Sequence, residues 1–577
     1  MKKAIRRRLQ AELPAAGFGL HPILEQVYAN RGVRKTADLA LSLDQLLPPN
    51  DLMGLDSAAV MLADALQQQS SIVIVGDFDA DGATSTALVV TVLRQLGFQQ
   101  VAYLVPNRFE YGYGLTPEIV ALAAQQKPDI IITVDNGISS VSGVAAATGF
   151  GIRTLVTDHH LPGTELPAAD VIVNPNQTGD SFASKNLAGV GVIFYVMLAL
   201  RAQLRERDYF QRSGVAEPNL AEVLDLVALG TVADVVPLDH NNRVLVEQGL
   251  KRMRAGRVRP GIVALAEVAQ RSLARLTAAD LGFALGPRLN AAGRLDDMSI
   301  GIECLLADNP QRARTLASEL NDFNRDRQQI EREMHADALR KLDDFLPGAD
   351  TTPPAALCLY DKQWHQGVVG ILAARIKERL HRPAIAFADG DETTIKGSAR
   401  SIPGLHIRDA LERVSTLAPG LIIKFGGHAM AAGLSIERKD FERFRDLFEH
   451  EVERLLDGVE LEAAIESDGE LPASQMQLEL ARQLRFGGPW GQHFPEPVFD
   501  GVFTLVQQRI VGERHLKLVL AHPQQPDQLL DAIAFNIDTA LWPDHELEQV
   551  RVAYKLDSNE FRGRETVQML IEVLEPV

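Results

Sequence analysis

Cysteine is nearly absent: the chain of 577 residues has two, Cys304 and Cys358. Both sit in apolar strings, IECLL and ALCLY, where a buried free thiol is common and a disulfide is not. A disulfide-stapled secreted scaffold is excluded, and a reducing cytoplasm fits. Long apolar runs are missing too. The strongest, Val190 to Leu200, falls well short of the ~20 residues that span a bilayer. The first residues, MKKAIRRRL, carry the charge of a signal peptide, but QAELPAAG follows where an apolar stretch would be needed. Secretion and a membrane partner are therefore not expected, and a cytoplasmic location is. Positive charge is also in short supply, with 58 Lys and Arg against 76 Asp and Glu and a formal net charge of −18. Taken alone this opposes a polyanionic partner, yet binding follows the local field, and bound metal would offset part of the acidic excess. Two basic clusters are candidates for such a field: Arg6 to Arg8, and Lys251, Arg252, Arg254, Arg257 and Arg259. The ordinary reading of either is a solvated face.

What is present is an ordinary globular composition, 46% hydrophobic and 23% charged, with no internal repeat. The length predicts roughly three or four domains. Residues 1–50 read as a small, mostly helical N-terminal segment ending near Pro48 and Pro49. Residues 51–240 alternate strands and helices (SIVIV, VAYLV, DIIITV, IRTLV, DVIV), the pattern of a parallel sheet with right-handed crossovers. Residues 241–310 extend this core with helices. Within 311–346, Leu316, Leu320, Phe323, Ile330 and Met334 recur at helical spacing in a charged sequence, predicting a long exposed connecting helix. A smaller α/β unit covers 354–456. The remainder, 460–577, alternates apolar and polar residues in HLKLVL and VRVAYKL and predicts a small antiparallel barrel of the oligonucleotide-binding kind.

Three acidic motifs end apolar runs in the first α/β region: GDFDADG (Gly76 to Gly82), VDNG (Val134 to Gly137) and TDHH (Thr157 to His160). Parallel strands open their carboxyl ends onto one crevice, so the motifs converge. Asp79 and Asp81, two apart, would share a direction if extended. Asp135 and the pair His159 and His160 follow other strands, and Asp234 in GTVADVVPL adds a carboxylate after a helical run. Each motif alone has a bland reading, as turn, cap or surface pair. Carboxylates gathered this closely raise one another's pKa, and desolvation adds to the penalty, so the set calls for divalent cations. Carboxylate with imidazole suits Mn²⁺ or Mg²⁺ better than zinc, and two ions better than one.

GDFDADG, VDNG, TDHH and VADVVP, in this order, resemble the motifs of the DHH phosphoesterase superfamily, and FGGHAMAAGLS resembles the signature of its associated C-terminal (DHHA1-type) domain. The strings NRFEYGYGL, LAGVGV, GPRLNAAGRLDD, WHQGVVGI and GPWGQ extend the resemblance over nearly the whole chain, to the superfamily's bacterial single-strand-specific exonucleases. One departure is Ala399 in GSARS, where glycine is expected. The resemblance implies a parallel-sheet catalytic domain joined by a long helix to a DHHA1-type domain, with an OB-like barrel at the C-terminal end. It implies two Mn²⁺ or Mg²⁺ ions held by Asp79, Asp81, Asp135, His159 and Asp234, Asp135 bridging them. Asp77, Asp158 and His160 would then face the substrate or support the ligands.

The implied reaction is 5′-to-3′ hydrolysis of single-stranded DNA to 5′-mononucleotides in recombination and repair, with activated water as nucleophile. The implied partners are single-strand-binding protein and a recombination helicase, with the chain a monomer. Recognition of a 5′-phosphate end needs guanidinium groups and backbone N–H groups in a glycine-rich turn. Arg108, Arg288, Ser398, Arg400, Gly426, Gly427 and His428 are the candidates, each arginine having a surface ion pair as its bland reading. A cleft between two lobes would admit one strand, and Tyr111, Tyr113 and Trp364 could stack bases. Three rival readings are weighed. A haloacid-dehalogenase-type phosphatase needs threonine where Ala83 stands. A DHH-family phosphodiesterase for short oligonucleotides usually lacks the long helix and barrel. A catalytically silent single-strand-binding scaffold would have lost the carboxylates and histidines retained here.

Overall fold

The computed structural model describes residues 3–14, 17–106, 114–345, 354–427, 429–456, 463–539, 541–561 and 563–577. Arg108, Tyr111, Tyr113 and His428 lie outside the described residues. The chain divides into two compact units, Met1–Arg6 with Asn324–Ile465, and Arg7–Phe323 with Glu466–Val577. Strand β1 (Ala4–Arg7) belongs to a two-stranded sheet with a strand introduced below.

The larger unit is built on a five-stranded sheet of β2 (Ile72–Gly76), β3 (Val101–Leu104), β4 (Ile130–Val134), β5 (Arg153–Thr157) and β6 (Val171–Val173), in the order β3-β2-β4-β5-β6. All pairs are parallel. The β-branched runs of β2 and β4 are buried throughout, as strands covered by helices on both faces must be. Because β3 and β4 lie on opposite sides of β2, the order reverses between β2 and β4, where open α/β sheets place their ligands. Gly76, Val134 and Thr157 stand side by side in register, so the residues after them leave the sheet together.

The smaller unit has a mixed sheet of β7 (Leu357–Tyr360), β8 (Ala384–Asp389), β9 (Thr394–Arg400), β10 (Ile422–Gly427) and β11 (Ala431–Glu437), ordered β10-β11-β9-β8-β7. One core packs Phe387, Phe444 and Phe448, and a second packs Trp364, Leu372 and Met334. Trp364, expected as a possible base-stacking residue, is 5% exposed and donates Nε1–H to Asp337 at 3.0 Å. It is a core residue, since its indole is spent on burial and on that bond. The helix Pro310–Phe345 begins in one unit and ends in the other. Its polar faces are exposed while its apolar stripe is buried, Leu316 and Leu320 in the larger unit's core and Met334 in the smaller one's.

Strand β12 (Ala464–Ser467) pairs with β1, and β13 (Phe499–Val511), β14 (His515–His522), β15 (Gln525–Ala534), β16 (Gln549–Phe561) and β17 (Arg564–Pro576) close a five-stranded barrel. Alternate residues Leu516, Leu518 and Leu520, with Val550, Val552 and Tyr554, fill it. Ion pairs with the rest of the larger unit fix it. Arg275 reaches Glu565 at 2.9 Å, and Arg31 binds Asp468 through both Nη atoms at 2.9 Å. The Arg6 to Arg8 cluster is largely used in the same way, Arg7 on Asp500 at 2.8 Å and Arg8 on Glu466 at 2.6 Å. In the second basic cluster Arg259 is bound by Asp225 at 3.0 Å and Lys251 by Glu247 at 3.4 Å. Arg7, Arg8, Lys251 and Arg259 are thus engaged by acidic neighbours, while Arg257 stays exposed. Among the described residues no helix is long and apolar enough to cross a membrane.

Candidate metal centre

Asp77, Asp135 and Asp158 follow directly on β2, β4 and β5, and all three are buried, at 5%, 1% and 1% exposure. Asp79 keeps extended backbone, but the expected extended run stops there. It caps the helix Ala80–Leu96, its Oδ1 accepting the N–H groups of Asp81 and Gly82 at 3.0 Å. Asp81 lies inside the first helical turn and points elsewhere: its carboxylate accepts Gly189 N–H at 2.6 Å and Val190 N–H at 2.9 Å. Those amides begin a second helix, Gly189–Glu206, whose dipole favours the negative charge. Asp234 is the C-cap of the helix Leu224–Ala233.

Donor atoms from these residues converge. Asp77, Asp79 and Asp135 form one group with ligand atoms within 4.8 Å of one another, and Asp81, His159 and Asp234 form another. His159 Nε2 links the groups, 3.1 Å from Asp135 Oδ1 and 3.5 Å from Asp234 Oδ2. The sequence-predicted donors Asp79, Asp81, Asp135, His159 and Asp234 are thus gathered, and Asp77 joins them on the Asp79 side.

The electrostatics are those of an anionic cage. Burial first, then the charge of Asp234, raises the Asp81 pKa to about 7. Burial and Asp79 raise Asp234 to about 7, and burial with four neighbouring aspartates raises Asp135 well above the usual range. Burial and the neighbouring His160 lower the pKa of His159 and keep it neutral, the form that ligates metal. His159 Nε2 and Asp234 Oδ2 are both buried without a hydrogen bond, although 3.5 Å apart. Two such orphaned donors, in a set of carboxylates and one neutral imidazole, fit divalent cations such as Mn²⁺ or Mg²⁺.

Around this set, Asp158 accepts the N–H groups of Ile138, His159 and His160 and pairs with His160 Nδ1 at 2.7 Å. Burial works against its charge, but the His160 hydrogen bond and the His160 charge hold its pKa below the usual value. Burial likewise opposes the His160 imidazolium, yet Asp158 raises its pKa to about 9. Asn176 and Asn174 bind the carbonyls of His159 and His160 at 2.6 and 2.9 Å, fixing the segment.

Two supporting residues were not singled out from the sequence. Asn290 accepts the Ala80 N–H at 2.7 Å and pins the Asp79–Asp81 turn. Gly189 lets a helix start against Asp135, since a Cβ there would come within 2.7 Å of its carboxylate. Both lie in the strings GPRLNAAGRLDD and LAGVGV, so the signal was in hand without a role attached.

The described candidates for phosphate binding fall in both units. Arg288 is in the larger unit, held by Asn321 at 3.1 Å and the Ala284 carbonyl at 2.6 Å. In the smaller unit Ser398, Gly433 and Gly426 form one row across β9, β11 and β10. Arg400 Nη1 donates to Ser398 Oγ at 3.1 Å and to the Ala399 carbonyl at 2.9 Å, and no carboxylate among the described residues pairs with it. Burial lowers its pKa. Gly370 of WHQGVVGI closes over the pair: a Cβ there would stand 2.9 Å from both Arg400 Nη2 and Ser398 Oγ. Ala399 points the other way into the core, fully buried.

Comparison with known proteins agrees with this geometry. Residues 71–231 match the DHH family N-terminal domain, 354–454 the DHHA1 domain and 467–573 the RecJ OB domain. The chain is 58% identical over 575 residues to the single-stranded-DNA-specific exonuclease RecJ of Dickeya dadantii, covering 99% of each. It is 56% identical to that of Escherichia coli over 567 residues, covering 98% of this chain and 97% of the other. The crystal structure of Thermus thermophilus RecJ in complex with Mn²⁺ superimposes with a TM-score of 0.80 at 31% identity, covering 100% of this chain and 80% of that one. A structure of the same protein with Mg²⁺ gives 0.74. With three family domains in order and relatives matched from end to end, the chain belongs to the RecJ family of single-stranded-DNA-specific exonucleases.

Proposed function

We propose that this protein is a metal-dependent 5′-to-3′ exonuclease that degrades single-stranded DNA to 5′-mononucleotides, in recombination and repair. The observation that carries the reading is the crowd of buried carboxylates around one neutral imidazole, which folding would not keep ionised without divalent cations. Asp79, Asp81, Asp135, His159 and Asp234 are the proposed ligands of two Mn²⁺ or Mg²⁺ ions, Asp135 being shared, and Asp77 is added beside Asp79. When bound, such ions supply positive charge to the phosphate oxygens and lower the pKa of the attacking water.

The chain's own groups do the rest. Amides of Asp81, Gly82, Gly189 and Val190 fix the direction of the Asp79 and Asp81 carboxylates, so the donor set is held before substrate arrives. Asp158 orients His160 and favours its protonated form, which would donate a hydrogen bond to the scissile phosphate. Arg108, Arg288, Ser398, Arg400, Gly426, Gly427 and His428 are proposed to hold the 5′-phosphate. Arg400 is the best supported, being partly buried with no acidic partner among the described residues. Each cut leaves a new 5′-phosphate, so the same recognition serves the next step. Family membership supports single-strand-binding protein and a recombination helicase as partners, and action as a cytoplasmic monomer.

The test is one assay with end-labelled single- and double-stranded DNA, with and without a 5′-phosphate, in Mn²⁺ and in chelator. Mononucleotides released from the 5′ end of the single strand only, and only with metal, are expected. Cleavage that survives the chelator would refute the reading.

A further inference from the structure

Phe283 is 88% exposed, whereas no other described phenylalanine exceeds 58%. Its ring does not dangle from a loop. It lies on a turn of π-helix, Leu281–Leu285, whose residues Leu281, Ala284 and Leu285 are at most 5% exposed. The backbone is anchored and the ring is held outward. A π turn inserts one residue into a helix, an unfavourable device that recurs at functional sites.

Its place gives the ring a meaning. A Cβ on Gly282 would stand 3.3 Å from Val232 Cγ1, and one on Gly286 3.0 Å from the Ala233 Cβ. The turn therefore packs on the last turn of the helix Leu224–Ala233, whose next residue is Asp234. Directly after Asp234, Val235 is 63% exposed at φ +63°, a left-handed conformation that β-branched residues seldom adopt and that clusters at active sites. The helix that continues from the π turn, Gly286–Leu295, carries Asn290, the residue that pins the Asp79–Asp81 turn. A single exposed apolar residue needs no explanation. A ring held outward by an anchored π turn, packed on the helix that ends at Asp234, and a strained exposed valine directly after that carboxylate do.

We propose that Phe283 is the stacking platform for a base of the strand whose backbone enters the metal centre, with Val235 as its apolar neighbour. The inference rests on the exonuclease reading above and deepens it. A flat neutral ring accepts any base, which suits digestion without sequence preference. An arginine here would instead be drawn to the carboxylates. In a duplex both faces of an internal base are covered by its neighbours, so the platform engages only a strand that has left its partner.

Phe283→Ala should lower kcat/KM on 5′-phosphorylated single strands about tenfold, while Phe283→Trp stays within about twofold of the parent. On strands with consecutive abasic sites at the 5′ end, the unaltered protein should fall to the level of Phe283→Ala, and the variant should fall no further. In chelator, where nothing is cut, 2-aminopurine stepped through the first positions should be quenched at one of them by the parent and not by Phe283→Ala. Equal rates for parent and Phe283→Ala on ordinary strands, or an equal further loss for both on abasic ones, overturn the proposal. A parent protein that releases no nucleotide in Mn²⁺ instead overturns the exonuclease reading, and this inference with it.

Discussion

The two α/β units strand charge of opposite sign. In the larger, Asp81 and Asp234 face each other and further aspartates at pKa values near 7; in the smaller, the Arg400 guanidinium is buried against a serine and a carbonyl with no carboxylate among the described residues. Other buried cations are compensated in different ways, Arg31 by Asp468 and Arg259 by Asp225, and Arg243 by the Asp38 carbonyl and the Phe494 ring. Buried ions are costly unless compensated, so a charge without a counter-ion favours a ligand of the other sign. The carboxylate set of the larger unit fits cations, and Arg400 of the smaller is proposed to meet an anion. A phosphodiesterase that starts from a phosphorylated end needs both.

The largest effect should come from removing a carboxylate of the larger unit. Asp81→Ala is predicted to lower nucleotide release by about 10³-fold in Mn²⁺, with single-stranded DNA still bound in a gel-shift assay. Arg400→Ala should act on the other sign alone. A roughly 10- to 100-fold fall in kcat/KM is expected on 5′-phosphorylated strands, the worth of one or two charge-assisted hydrogen bonds, and little change on 5′-hydroxyl strands. Equal losses on both ends would erase the contrast between the regions.

Acidity should separate them further. The folded pKa values of Asp81 and Asp234, about 7, stand above the ordinary 3.8. Their contribution to metal-free stability is therefore complete below about pH 4 and lost as pH rises through 7. Melting temperature without metal should fall between pH 5 and 8. With saturating Mn²⁺ it should rise over the same interval, because protons no longer compete for the ligands. Asp158, held below the ordinary value, pulls the other way only in stronger acid. End recognition by Arg400 should follow only the second ionisation of the phosphate, near pH ~6. The smallest effect belongs to Ala399→Gly. It should lower stability in thermal melts by about 0.5–1 kcal/mol through backbone entropy and leave nuclease activity in place.

Much of this was legible in the residues because period and motif coincide. β-branched runs ending in Asp77, Asp135 and Asp158 can only be parallel strands opening on one crevice, and the alternation in HLKLVL fills a barrel as such alternation must. What failed was direction and partnership. Asp79 and Asp81 diverge because the first caps a helix and the second lies inside it, a distinction two-residue spacing does not carry. Arg7 and Trp364 are taken up by partners that no local pattern shows, Asp500 lying 493 residues from Arg7 and Asp337 27 from Trp364. The π turn that lifts Phe283 out of the core has no periodic signature at all.

The central claim is that two cations complete the larger unit's carboxylate cage. Anomalous diffraction at the manganese edge from crystals grown in Mn²⁺ tests it directly. Two peaks are predicted, one among Asp77, Asp79 and Asp135 and one among Asp81, His159 and Asp234, with Asp135 touching both. A map with no peak in that cage, from crystals whose Asp81 and Asp234 carboxylates still converge, would contradict it.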